Sequence, residues 1–326
     1  MARWLIIGGT RFVGHHIAQA AIDAGHELTL FHRGHTPARL EGPYRELLGD
    51  RDGGIDALQG SSWDAVIDVC GYAPRVVEQA LEAVECAHYT FVSSVSVYPE
   101  RAVDQAPIRE DDPVLAWRGP RTEEITELSY GPLKVDCERA VWARHPDATV
   151  IRPGYVVGPR DHTHRFGWWV RWLARSGPVL VPANAAAPIQ VIDARDLAAF
   201  VVRATERRLA GAFNCVGPAR PTTWGEVYGL IAKVADAGAE LIPVDDAWLV
   251  ERGVEEQALP MWLPPERLGE SLVADGARAA AAGMGLRPLE GTVRDILAEP
   301  PRADLPLERL TAAREATLLA RAAEGA

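Results

Sequence analysis

The chain is short of several things, and each shortage excludes something. It has only four cysteines in 326 residues, Cys70, Cys86, Cys137 and Cys215, with no CxxC pair. That scatter offers no disulfide framework and suits reduced, mostly buried thiols in a reducing cytosol. It has no surplus of basic residues, because 34 Lys and Arg stand against 45 Asp and Glu, a formal net charge of −11. Phosphate contacts need a concentrated basic surface, so nucleic acid is disfavoured as a partner. No apolar run approaches the roughly 18 residues of a membrane span. There is no basic leader either. Residues 4–7 already read as a strand, so no signal peptide is expected and the location reads as cytoplasmic.

What is present is a composition that can bury a core, 48% hydrophobic and 24% charged. The length suits a large nucleotide-binding domain plus a smaller one. In the first half, short apolar runs at 4–7, 27–31, 65–69, 90–92 and 149–152 alternate with helical patterns at 14–24, 76–84 and 129–144. Such alternation predicts βαβ units and a parallel sheet with helices on both faces. Beyond Pro153 the pattern loosens. It predicts a helix over 166–174, strands at 179–181, 189–192 and 212–216, and helices over 195–205 and 223–234, the last capped by Thr222 or Thr223. The expected architecture is α/β, a Rossmann-type doubly wound sheet built from 1–160 and 189–217. A smaller substrate-binding domain takes 161–188 and 218–300, and 301–326 forms a Pro-rich start and a helical tail packed on the surface.

The first strand runs into Gly8-Gly9-Thr10-Arg11-Phe12-Val13-Gly14 and then a helix. Glycines let the chain turn there, and a helix N-terminus presents unpaired N–H groups to a pyrophosphate. Arg11 stands where such loops usually carry a middle glycine, so either the loop is more open there or the side chain is used. The second strand ends in His32-Arg33, where an NAD site places an acid for the ribose 2′-hydroxyl. Two arginines and no acid at this edge favour a 2′-phosphate, hence NADP over NAD. Asp50, in Gly49-Asp50-Arg51, is a candidate adenine contact or a plain turn residue.

Tyr130-Gly131-Pro132-Leu133-Lys134 puts a phenol and an ammonium four residues apart, on one helix face. Pro132 is tolerated in a first turn, which predicts a helix start near Ser129. A nearby cation favours a phenolate, so Tyr130 could exchange a proton with an alcohol or carbonyl while Lys134 holds the nicotinamide ribose. The run Phe91-Val92-Ser93-Ser94-Val95-Ser96-Val97-Tyr98 brings hydroxyls to a strand end. Ser93 and Ser96 read as locally bonded to backbone. Asp161-His162-Thr163-His164 lacks a spaced third ligand, so no metal is expected. Trp168, Trp169 and Trp172 read as core, with pocket lining as the alternative. Asp68 ends a strand, and Gly71 after it is either a turn or a place of close cofactor approach.

With Ile151-Arg152-Pro153-Gly154-Tyr155-Val156-Val157-Gly158-Pro159 and Val191-Ile192-Asp193-Ala194-Arg195-Asp196-Leu197-Ala198, these motifs resemble the extended short-chain dehydrogenases/reductases, the NAD-dependent epimerase/dehydratase family, to about residue 299. The resemblance implies that Ser94 completes a Ser94–Tyr130–Lys134 catalytic set and that the chain forms a homodimer. Arg11 is shared with a subgroup that includes chloroplast stem-loop-binding proteins. Members acting on sugar nucleotides often carry an arginine where this chain reads Ala187-Pro188-Ile189-Gln190-Val191; Arg165, Arg171 and Arg195 are candidate substitutes. The expected function is an NAD(P)-dependent oxidoreductase or epimerase acting on a small hydroxyl or carbonyl compound. Alternatives are an atypical RNA-binding member and a nucleotide sensor.

Overall fold

A computed structural model describes residues 1–102, 107–267, 270–271, 273–300 and 309–324. Seven parallel strands form its central sheet: β1 (Arg3–Ile7), β2 (Glu27–His32), β3 (Tyr44–Leu48), β4 (Ala65–Asp68), β5 (Tyr89–Val92), β6 (Thr149–Pro153) and β7 (Gly211–Cys215). Their spatial order is β7-β6-β5-β4-β1-β2-β3. This is the doubly wound Rossmann order with one added strand. Strand order reverses between β1 and β4, where the carboxyl ends open a crevice.

The interior strands are buried on both faces, so their sequences are almost continuously apolar. Side chains alternate across the pleat. Trp4 and Ile6 join the core under α1 (Phe12–Asp23) and α5 (Ala194–Glu206), while Leu5 and Ile7 join the core under α2 (Pro74–Ala83) and α3 (Glu127–Arg144). A buried network fixes α3 to the sheet. Arg152 of β6 grips Glu138 of α3 through two bonds of 3.0 and 2.7 Å, and it donates to the Tyr98 hydroxyl, which donates to Asn214 of β7. The pair is almost fully buried, so removing either partner would strand a charge and cost about 3–5 kcal/mol.

After β6 the chain leaves the sheet, contributes α4 (Arg165–Trp172) and a strand at Gly177–Pro182 to a separate core, and returns as α5 and β7. It then adds α6 (Trp224–Ala235), a strand at Ala239–Val244 parallel to Gly177–Pro182, and α7 (Leu289–Ala298) to that second core. Leu318 of the terminal helix α8 (Ala312–Glu324) packs there too, and buried Glu315 pairs with Arg175. The Pro-rich start of the tail, 301–308, lies outside the described residues. Among the described residues no helix is long and apolar enough to cross a membrane.

Three sequence expectations need correction. The helix carrying Tyr130 starts at Glu127, because Thr126 and Ser129 form a reciprocal capping box, and Pro132 therefore sits in the second turn rather than the first. The strand expected over 189–192 is two short pieces, Pro188–Ile189 and Val191–Asp193, pairing with different partners. The strand Ala239–Val244 was not expected; Pro243 and partial exposure blur its pattern.

Candidate active site

The glycine loop lies at the β1 end of the crevice. Gly8 and Gly9 have φ of +104° and +92°, a region that L side chains rarely adopt. A Cβ on Gly14 would come within 2.9 Å of the Gly9 nitrogen, so glycine is what lets helix and loop approach. Arg11 is extended, with φ −130° and ψ 141°, a conformation open to any residue, so the position needs no glycine. The strain moves one residue on, to Phe12 at φ +38°, a cost of about 1–2 kcal/mol. The Phe12 ring is held edge-on by His16 and His162. The first N–H groups of α1 lack intrahelical acceptors, as at any helix start.

At the β2 edge, His32 is tied down. Its ring bonds Glu46 at 3.0 Å and accepts from the Gly34 amide at 3.1 Å. Arg11 and Arg33 are both exposed on the cleft wall and have no ion pair among the described residues. Asp50 lies two residues past β3, where its carboxylate accepts from the Asp52 amide and its backbone bridges Gly54.

Beneath this end sits a pair that sequence reading missed. Arg51 grips fully buried Asp68 with bonds of 2.7 and 2.8 Å, and the Tyr89 hydroxyl donates to the same carboxylate. Burial alone would raise the Asp68 carboxyl, but the Arg51 guanidinium more than reverses this and holds it below the usual range. Gly71 answers to packing rather than to a ligand, since a Cβ there would lie 2.5 Å from the Phe91 ring and 2.7 Å from Val77.

Ser94, Tyr130 and Lys134 face the same cleft, about 2250 Å³ in volume, together with the glycine loop, His32, Arg33 and Asp50. Ser94 caps the short turn Val95–Val97 and donates to Ser96 Oγ at 3.0 Å. Ser93 Oγ, beside it on the cleft floor, is buried and has no hydrogen-bond partner among the described residues. Burial pushes the Tyr130 phenol up, while the neighbouring Ser94 hydroxyl and then Arg165 pull it down. Lys134 does not figure among those influences. Its ammonium reaches into the floor, donating to the Gly71 and Val92 carbonyls at 2.8 Å each, 4.3 Å from the Phe91 ring centroid. Burial lowers it from 10.5 to about 8.

Gly131 lets Tyr130 come this close. A Cβ there would press on the Ser96 carbonyl oxygen and lie 2.7 Å from Leu115 Cδ1. Gly131→Ala is therefore expected to destabilise by about 1–3 kcal/mol through overpacking, against the roughly 1 kcal/mol that alanine gains in a helix. Gly229→Ala in α6, where a Cβ meets nothing within 4 Å, should instead stabilise. Urea unfolding of both variants checks the opposite signs.

The remaining candidates separate cleanly. Trp168, Trp169 and Trp172 are buried in the second core, with Trp169 Nε1 donating to the Pro260 carbonyl at 2.6 Å. Asp161 accepts from the amide and hydroxyl of Thr163, and no metal-holding cluster exists among the described residues. Arg171 donates to the Ile296 and Glu299 carbonyls, and Arg195 pairs with Asp193 and Asp295, whereas Arg165 lines the cleft.

The fold has known counterparts. The model of the NAD dependent epimerase/dehydratase family matches residues 64–215. The chloroplast stem-loop binding protein of 41 kDa b from Arabidopsis thaliana is 29% identical over 232 residues, covering 65% of this chain and 58% of that protein. The chain thus matches little more than half of that relative's length. The UDP-N-acetylglucosamine 4-epimerase of Bacillus cereus superposes with a TM-score of 0.68 at 16% identity, over 91% of this chain and 98% of that one. A human epimerase family protein solved with NADPH gives 0.63 at 20% identity, over 91% of this chain and 100% of its own.

Proposed function

From the match of residues 64–215 to the NAD dependent epimerase/dehydratase family and the shared fold, we propose that the chain is an extended short-chain dehydrogenase/reductase, a nicotinamide-dependent enzyme acting on the hydroxyl or carbonyl group of a small molecule, with NADP preferred over NAD. One observation carries this reading: the glycine loop, Ser94, Tyr130 and Lys134 converge on one cleft at the carboxyl edge of the sheet. The cradle fits a dinucleotide, since the Gly8–Gly14 turn has no room for a Cβ at Gly14 and Ser93 Oγ is a buried hydroxyl with no hydrogen-bond partner among the described residues. When bound, the nicotinamide ring supplies the hydride donor and acceptor.

The chain's residues do the rest. The α1 start and Arg11 hold pyrophosphate, and Arg33 meets the adenosine ribose. An ammonium has three donors, and the Gly71 and Val92 carbonyls take two of Lys134's, leaving one for a ribose hydroxyl. Tyr130, kept protonated by burial, gives its proton to a carbonyl oxygen during reduction and recovers it during oxidation. Ser94 stabilises the same oxygen. An epimerase runs the two halves in succession on one substrate. The second core forms the substrate wall of the cleft.

Titration with NADPH and NADH, followed by nicotinamide fluorescence, tests the reading. NADPH should bind about tenfold more tightly, the value of one phosphate–guanidinium contact, and Arg33→Ala should abolish the difference. Equal or tighter NADH binding would refute the NADP preference and favour an epimerase that recycles its cofactor. Binding of neither would refute the enzymatic reading. A second reading, RNA binding, draws on the name of the Arabidopsis relative; the net charge of −11 weighs against it. RNA retention that weakens steeply with salt would favour it.

A further inference from the structure

Arg165 and Arg267 both line the cleft, and they are not equivalent. Arg165, the first residue of α4, is exposed, and its guanidinium lies 5.4 Å from the Tyr155 ring centroid. Its hydrogen bond is a long one of 3.4 Å to Thr163 Oγ1, and among the described residues no carboxylate pairs with it. Its charge reaches the reacting end. Burial raises the Tyr130 and Tyr155 phenols, and Arg165 pulls both back.

Arg267 is in the opposite state. Its guanidinium is shared by Glu100 at 2.8 Å, Glu256 at 3.0 Å and Glu127 at 3.3 Å. A phosphate arriving there would compete with three carboxylates for one set of donors and sit among like charges, which is unfavourable both in hydrogen bonding and in Coulomb energy. The pyrophosphate diester of a sugar nucleotide carries about as much charge as a phosphate monoester, about −2, but it is a longer group whose second phosphate needs donors of its own, and Arg267 has none to spare. Arg165 presents a planar fork to which no carboxylate is bonded among the described residues, beside a tyrosine ring that orders it; Glu256 and Glu100 act on that ring through space only.

We propose that the substrate carries one anionic group, a phosphate or a carboxylate, which docks on Arg165, and that the acidic ring around Arg267 excludes a nucleoside diphosphate. This rests on the nicotinamide-dependent reading of the same cleft and specifies its substrate class. Docking on Arg165 tethers the substrate near Tyr130, so that its hydroxyl or carbonyl is presented to the phenol by position rather than by a nucleotide handle.

Isothermal titration of the NADPH-saturated chain with glucose 1-phosphate, glucuronate and UDP-glucose tests it. At least one of the first two should bind tenfold or more tightly than UDP-glucose; which one identifies phosphate or carboxylate as the group. Arg165→Ala should weaken that binding at least tenfold and Arg165→Lys less, with NADPH affinity unchanged as the check on folding. Glu100→Gln with Glu256→Gln, which loosens the ring on Arg267, should raise UDP-glucose affinity at least fivefold. Tighter binding of UDP-glucose to the unaltered chain, anion binding indifferent to Arg165→Ala, or no anion binding despite intact NADPH binding would each overturn the proposal. Loss of NADPH binding alone overturns the cofactor reading instead, and the Arg165 comparison is then made without nucleotide.

Discussion

Replacing Tyr130 with phenylalanine is expected to lower kcat by about 10²–10⁴-fold, the usual contribution of a positioned general acid, while leaving nicotinamide affinity within about threefold. The ring would remain and only the hydroxyl would go, so the packing against Tyr72, 6.4 Å between centroids, should survive. The direction of the phenol's shift adds a pH signature. Burial raises it and Ser94 only partly offsets this, so the protonated form prevails at neutral pH. Carbonyl reduction should therefore be flat through neutrality and fall only as pH climbs through the raised phenol value. Alcohol oxidation should rise over that same range. Steady-state rates in both directions, with cofactor titrations alongside, check this. Retained turnover would assign the proton to another phenol lining the cleft; Tyr98 is tied to Arg152 and Asn214 and Tyr228 is buried in the second core, which leaves Tyr72 and Tyr155. Tyr72 is the weaker alternative, because burial pushes it up to about 12; Tyr155, beside Arg165, is the stronger.

Much of this site was legible because its parts are local. A strand, a glycine turn and a helix occupy consecutive residues, and the apolar runs of a covered parallel sheet announce themselves. The start of α3 was legible in principle, since Thr126 and Ser129 stand at capping-box spacing. Lys134 carried a signal that was passed over. The sequence has only two lysines, Lys134 and Lys233, among its 34 basic residues, so an ammonium at 134 marks a place where arginine does not serve. What could not be read is what the crossovers assemble. Arg51 and Asp68 meet although β1 and β2 separate β3 from β4, because the chain after β3 folds back to the end of β4. Glu100, Glu127 and Glu256 converge on Arg267 from three distant segments. Gly131 looked like an ordinary helical glycine, and its necessity comes from a carbonyl 35 residues earlier in the chain.

Replacing Lys134 with methionine is expected to reduce turnover by about 10²-fold or more and, separately, to change how stability depends on pH. The first effect follows from position. The ammonium is anchored to two carbonyls on the cleft floor, and loosening a group that orients the cofactor costs rate through misplacement. The second follows from linkage. Burial lowers Lys134 from 10.5 to about 8, so below pH 8 the folded chain carries a charged, buried ammonium at a penalty of roughly 3 kcal/mol. Between about 8 and 10.5 the unfolded chain binds the proton that the folded chain has released, and stability then rises with pH. Methionine cannot titrate. Relative to the variant, the parent chain should therefore gain about 2 kcal/mol between pH 7 and 9.5, whatever the fixed effect of leaving two carbonyls without their donor. Taking the difference between the two chains at each pH cancels every titration they share, so the slope belongs to Lys134 and to groups coupled to it. Urea unfolding of both chains across that range measures it. A difference that stays flat would mean that the ammonium keeps an ordinary proton affinity in the folded chain, and with it that water reaches the floor of the cleft.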